Sequence, residues 1–211
     1  LCTPLYMMMC YKFAGLVFVL FVGSTNGWHW PKFGRCPQME VVQDFRLPDF
    51  MGSWYQQASV NMEVEGRGRC VTANYTYQTT DGLVEVVNSI IREPSNTVFT
   101  MNGTMKLENP TKNEGKFVVS LPSHFLWWNF DIKGPFWILD TDYNTYSVTY
   151  SCMEFLWFFH DYSGILFSRV QDLSQDVETK NAFFNRTFQV LRDHNLDPAQ
   201  FKISENHNCT L

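Results

Sequence analysis

Between about Trp54 and Arg169 the chain breaks into about eight short segments rich in Val, Ile, Thr, Tyr and Phe, each stopped by turn-forming residues. β-branched and aromatic side chains suit a pleated, half-buried surface, whereas Gly, Pro, Asn and Asp suit the turns between such segments. The breaks fall at 65–68, 80–82, 93–96, 109–110, 112–115, 133–135, 141–144 and 161–164. Links this short favour antiparallel neighbours, so the pattern predicts an all-β, eight-stranded up-and-down meander. Closing it into a barrel removes its exposed edges. A chain of 211 residues fits one such domain.

One helix interrupts the pattern. Ser174 is placed to act as N-cap, with Gln175 and Asp176 in the first turn. Val177, Phe183, Phe184, Thr187, Phe188 and Leu191 then recur near the helical period, and the segment 192–195 ends it. The outer wall of the barrel is the surface available to cover that stripe.

Lys12 precedes an apolar run at 13–22, followed by small and polar residues at 23–27. This is the pattern of a secretory signal, and the run is too short for a hydrocarbon core of about 30 Å. It predicts a signal peptide over 1–27, a barrel domain over 28–211, a translation start at Met7, Met8 or Met9, and an extracellular protein. Four cysteines then remain, Cys36, Cys70, Cys152 and Cys209, an even set that implies two disulfides in a secreted chain; spacing alone leaves three pairings open. No pair has zinc-ligand spacing, so no metal site is expected. Four sequons start at Asn74, Asn102, Asn185 and Asn208. The net charge of −5, with no basic cluster, gives no footprint for nucleic acid.

Alternation assigns faces, because successive strand side chains point to opposite sides. A glycan cannot point into a barrel. A glycosylated Asn74 therefore turns Val71, Ala73, Tyr75 and Tyr77 inward, and a glycosylated Asn102 turns Met101, Gly103 and Met105 inward. Phe117, Val119 and Leu121 share one face of another segment. The interior of a small barrel is either filled by such side chains or holds one small ligand, and periodicity does not separate the two. Tyr75, Tyr77 and Asn88 carry polar groups that need partners inside.

Three strings occur in a fixed order: Gly52-Ser53-Trp54, Thr141-Asp142-Tyr143, and Arg169 at the end of an apolar run. Together with Gly34-Arg35-Cys36-Pro37, the run 68–75, Trp137-Ile138-Leu139-Asp140 and Tyr150-Ser151-Cys152, they resemble the lipocalins, and within them the branch that includes apolipoprotein D and the bilin-binding proteins of insects. The resemblance covers most of the chain from Cys36 to Cys209. It implies an eight-stranded calyx open at one end, a helix on its flank, Trp54 closing the base under Arg169, and Cys36–Cys152 and Cys70–Cys209 bridges. It also implies that Phe136, Ile138, Thr149, Ile165 and Phe167 point inward, while Trp137 points outward under the helix. Gly52, Trp54, Thr141, Asp142, Tyr143 and Arg169 are then structural.

The resemblance further implies a secreted carrier of a small hydrophobic ligand (a fatty acid, sterol, retinoid or similar lipid), with biliverdin as the alternative and no cofactor required. The expected ligand-facing set is Tyr75, Tyr77, Asn88, Met101, Met105, Phe117, Val119, Phe136, Ile138, Thr149, Ile165 and Phe167. The stretch 122–132, read as the link between the fifth and sixth strands, is unusually long and aromatic. With the segment 156–160 it predicts an apolar rim of Phe125, Trp127, Trp128, Trp157 and Phe158 at the open mouth, which docks on lipoprotein or membrane lipid, forms a lid, or packs on itself. Catalysis is not expected: all four cysteines are assigned to bridges, and no His stands in a constellation with Ser or a carboxylate. Met62, Met101 and Met105 are candidates for scavenging lipid peroxides.

Overall fold

The structure, a computed structural model, describes residues 32–62, 68–78, 82–125, 128–155 and 158–209, without the side chains of 123–130. The expected signal segment and Trp127 and Trp157 lie outside the described residues.

A two-residue strand β1 (Lys32–Phe33) and a one-turn helix α1 (Leu47–Phe50) precede eight long strands: β2 (Gly52–Val60), β3 (Gly68–Gln78), β4 (Leu83–Arg92), β5 (Thr97–Leu107), β6 (Lys116–Phe125), β7 (Trp128–Thr141), β8 (Tyr146–Phe155) and β9 (Phe159–Ser168). Each pairs antiparallel with the next, and β9 returns to β2, which closes an up-and-down barrel. Helix α2 (Val177–Asp193) follows, and a last short strand β10 (Lys202–Ile203) pairs with β2 at Ser59 and Ala58.

Two apolar clusters follow from the alternation. Inside, Phe45, Phe50, Trp54, Tyr75, Val84, Met105, Phe117 and Ile138 belong to one buried group. Outside, Phe183, Val190 and Leu191 of α2 pack on Leu139, Val148, Tyr150 and Leu166 of the wall. Trp137 packs against this outer cluster, under the helix. The disulfides are Cys36–Cys152 and Cys70–Cys209, the pairing that the resemblance implies. The first ties the N-terminal strap to β8 and the second ties the tail to β3.

Three local expectations are corrected. Helix α2 begins not at Ser174 but after Asp176, whose carboxylate accepts from the Glu178 amide at 3.0 Å; Leu173–Gln175 is a separate 3-10 turn capped by Asp172. Asp and Ser are comparable caps, so spacing alone did not choose between them. The breaks at 133–135 and 161–164 are absent: β7 runs through the first, with Gly134 opposite Val119 and Pro135 opposite Val118, and β9 runs through the second, with Asp161 opposite Met153 and Gly164 opposite Tyr150. The aromatic stretch is not a long link, because β6 reaches Phe125 and β7 starts at Trp128.

Candidate functional site

Strand direction sets the two ends of the barrel. Gly52 starts β2 and lies opposite Tyr75 near the end of β3. Even-numbered strands β2 to β8 therefore leave this end, and odd-numbered strands β3 to β9 return to it.

This end is sealed. Gly52 has φ +90°, a conformation that favours glycine, and a Cβ there would lie 3.4 Å from Arg169 Nη1. The backbone can thus turn tightly under Arg169, whose guanidinium sits 3.8 Å from the centre of the Trp54 ring. Arg169 donates to the carbonyls of Ser53 (2.8 Å), Tyr143 (3.0 Å) and Asp49 (3.1 Å). Trp54 Nε1 donates to Phe50 O at 2.8 Å. Phe45 and Phe50 enter from the strap and α1, and Phe45 stands edge-on to Phe117 at 5.2 Å. Neither was singled out as an interior residue from sequence, although both flank the Gly-x-Trp string. Their spacing around Pro48 carried no strand alternation to read.

The turn after β7 completes the seal. Thr141 Oγ1 donates to Tyr146 O at 2.6 Å and accepts from Tyr143 N at 2.9 Å. Asp142 Oδ1 accepts from the amides of Asn144, Thr145 and Tyr146. Burial pushes the Asp142 carboxyl up, but the Thr145 hydroxyl and these three amides outweigh it and hold the group below its ordinary value.

Away from the base, burial falls on four consecutive strands. On β4 the inward Val84 and Val86 are buried and Asn88 only partly so, before Ile90 is buried again higher up; on β5 Met105 is buried and Met101 partly; on β6 Phe117 is buried and Val119 partly; on β7 Ile138 is buried and Phe136 partly. Tyr75 and Phe136 face each other at 6.3 Å, above the plug. Beyond Phe136 the next inward position is Gly134, where a Cβ would meet nothing within 4 Å. Inward side chains that keep accessible surface, beside an inward glycine facing open space, describe an unfilled upper chamber. The inward side chains around it, Asn88, Met101, Val119 and Phe136, carry no charge.

The expected ligand-facing residues divide accordingly. Met105, Phe117, Ile138, Phe167 and Tyr75 belong to the buried interior cluster, as does Ile165. Thr149 is buried, and its hydroxyl exchanges hydrogen bonds with the backbone of Ile165 at 3.2 Å. Asn88, Met101, Val119 and Phe136 border the chamber. Tyr77 differs from expectation: it lies opposite Val84 at the end of β3 and is 44 % exposed, because β3 reaches the base there rather than the chamber.

Of the expected rim, Phe125 and Trp128 end β6 and begin β7, opposite each other. Phe158 is 47 % exposed and packs on Phe159 at 4.9 Å; Phe33 of β1, 80 % exposed, stands 6.2 Å from Phe158. Among the sequon residues, Asn102, Asn185 and Asn208 are exposed, while Asn74 is partly buried and donates to Ser53 Oγ at 2.9 Å. Met62 packs against the interior cluster. His160 Nδ1 faces Gly34 O at 3.0 Å, and both ring nitrogens of His194 face backbone carbonyls. Among the described residues no group of His, Cys, Asp and Glu could hold a metal ion.

Similarity to known proteins agrees with this geometry. Apolipoprotein D of Cavia porcellus is 32% identical over 181 residues, covering 84% of this chain and 85% of the relative. The Lazarillo protein of Schistocerca americana is 32% identical over 120 residues, 56% of this chain and 52% of that protein. The solved structure of insecticyanin from the tobacco hornworm Manduca sexta superposes with a TM-score of 0.66 at 25% identity, covering 84% of this chain and 89% of the other. The family model of the lipocalin / cytosolic fatty-acid binding protein family matches residues 51–193, from the Gly-x-Trp strand through α2. The chain belongs to that family, as a lipocalin with an eight-stranded calyx.

Proposed function

We propose that this lipocalin is an extracellular carrier of one small hydrophobic ligand, a fatty acid, sterol, retinoid or similar lipid, held above the aromatic plug. The open space facing Gly134, bordered by partly buried Met101, Val119 and Phe136, carries this reading. Apolar burial at about 25 cal/mol per Å² supplies the affinity, and the Asn88 amide supplies one polar contact. The same arrangement needs no nucleophile, and the four bridged cysteines offer none. We read the chain as a binder and not a catalyst. The signal-like segment 1–27 and the two bridges support secretion.

Displacement of a fluorescent apolar dye from the purified protein tests the reading. Displacement by a fatty acid or a sterol is the expected result. Absorption in the red from protein taken from its source would assign biliverdin instead, and a protein that binds neither dye nor pigment has a filled barrel. We further propose that the exposed aromatics Phe33 and Phe158, together with the sequence-expected rim residues Trp127 and Trp128, dock the open end on lipid surfaces. Changing Trp127, Trp128 and Phe158 to Ser should release the protein from phosphatidylcholine liposomes; unaltered flotation would remove lipid docking from the reading.

A further inference from the structure

The barrel is zipped unevenly. β4 pairs with β5 along nine positions, from Val84↔Met105 to Arg92↔Thr97, and β6 pairs with β7 along ten, from Lys116↔Trp137 to Phe125↔Trp128. Between them β5 and β6 pair only from Leu107↔Phe117 to Thr104↔Ser120. On the far side, β7 and β8 pair only from Thr141↔Ser147 up to Trp137↔Tyr150. Leu121–Phe125 is therefore paired only with Trp128–Ile132, and β7 from Trp128 to Phe136 is paired with β6 alone.

Two prolines explain where the ladders stop. The Glu108 amide donates to Lys116 O at 2.9 Å, so Lys116 turns its backbone toward β5. By two-residue alternation Val118, Ser120 and Pro122 do the same. Pro122 has no N–H, so the β5–β6 ladder loses its donor one step after Ser120. On β7, Ile138 N donates to Gly115 O on the β6 side, which turns Pro135 toward β8, and that ladder ends beside it. The upper half of β5 is left with an unpaired edge, and the amides of Val98, Thr100 and Asn102 point at the gap.

By alternation Leu121 stands on the inner face behind this gap, between it and the chamber. It leans toward β5: its Cδ2 lies 2.6 Å from where a Cβ on Gly103 would stand, so the missing side chain at 103 is what admits it. Outside, a notch of about 490 Å³ is lined by Asn102, Gly103, Thr104, Ser120, Pro122 and Asp131, among others. Ile132, opposite Leu121 on the inner face of the hairpin, is 45 % exposed. We propose that the split between β5 and β6 above Thr104 and Ser120 is a side door of the calyx, through which an unbranched apolar chain passes over Leu121. A slot bordered by two strands suits a single extended chain better than a fused-ring sterol or a tetrapyrrole. The proposal rests on the carrier reading and adds the route and the ligand shape to it.

Hydrogen exchange and a series of saturated fatty acids, decanoate to docosanoate, test it on the full-length secreted protein. The amides of Val98, Thr100 and Asn102 should exchange quickly while those of Met101 and Gly103, turned toward β4, stay protected. Affinity should keep rising to docosanoate, because a side door lets the longer tail extend out of the barrel. Pro122→Thr restores a donor on β6; it should slow exchange at Thr100 and Asn102 and weaken docosanoate by about tenfold relative to decanoate. Where exchange shows that Pro122→Thr leaves the gap open, Leu121→Trp blocks it from within and should produce the same selective loss. Slow exchange at all three amides in the unaltered protein, or equal loss for all chain lengths in the blocked variant, overturns the door. Protection that grows with protein concentration would place a second copy on the β5 edge and overturn it as well. If no fatty acid of any length binds, the door is overturned, while dye displacement by a sterol or a retinoid would leave the carrier reading standing.

Discussion

The two halves of the barrel share strands but not construction. In the base, every inward position named on β4 to β7 is fully buried, the ladders that join β4 to β5, β5 to β6 and β6 to β7 are continuous, and Arg169 joins three segments of chain through their carbonyls. In the upper half, the same strands carry inward side chains that keep accessible surface, two ladders stop at prolines, and aromatic side chains face outward. The difference divides labour: the base holds the fold, and the upper half is left free to bind. It also separates the strongest sequence strings from the chemistry, since Gly-x-Trp, Thr-Asp-Tyr and the lone Arg all lie in the base.

Deleting the ring at Trp54 strikes the base hardest. Trp54→Ala should cost about 3–5 kcal/mol in urea unfolding, the range for large buried aromatics. The methionines on β5 give a sharper comparison, four residues apart on one face. Met105→Ala should cost about 2–5 kcal/mol, whereas Met101→Ala, beside open space, should cost under about 1 kcal/mol while weakening ligand binding. Equal costs at the two positions would mean that the upper half is packed like the base. The smallest effect concerns acid. Because Asp142 is held below its ordinary value in the folded state, it adds stability above the usual carboxylate range, and this is lost as pH falls through the lowered value. Asp142→Asn should therefore reduce the difference between urea midpoints measured at about pH 6 and about pH 3. An unchanged difference would show that the turn does not contribute to acid sensitivity.

Much of this was legible in the sequence. Alternation around Asn102 puts it on the outer face with Met101 and Met105 on the inner, and the order of the short strings named the barrel. The failures are equally physical. Gly134-Pro135 reads as a break because both residues disfavour strands, yet a strand tolerates them where its donor side has no partner. Tyr77 obeys the alternation, but alternation assigns a face and not a height along the barrel. Phe45 enters the core from irregular chain and Phe50 from the single turn of α1, where no period marks an inward residue. The chamber itself was not legible, because a filled barrel and an empty one share the same pattern of inward residues.

The two disulfides interlock along the chain: Cys36 precedes Cys70, Cys70 precedes Cys152, and Cys152 precedes Cys209. A single cut anywhere between Cys36 and Cys209 therefore falls within at least one of the two covalent loops, and the pieces stay joined. An exposed loop can therefore be nicked without releasing either fragment, and the loss shows on a gel only after reduction.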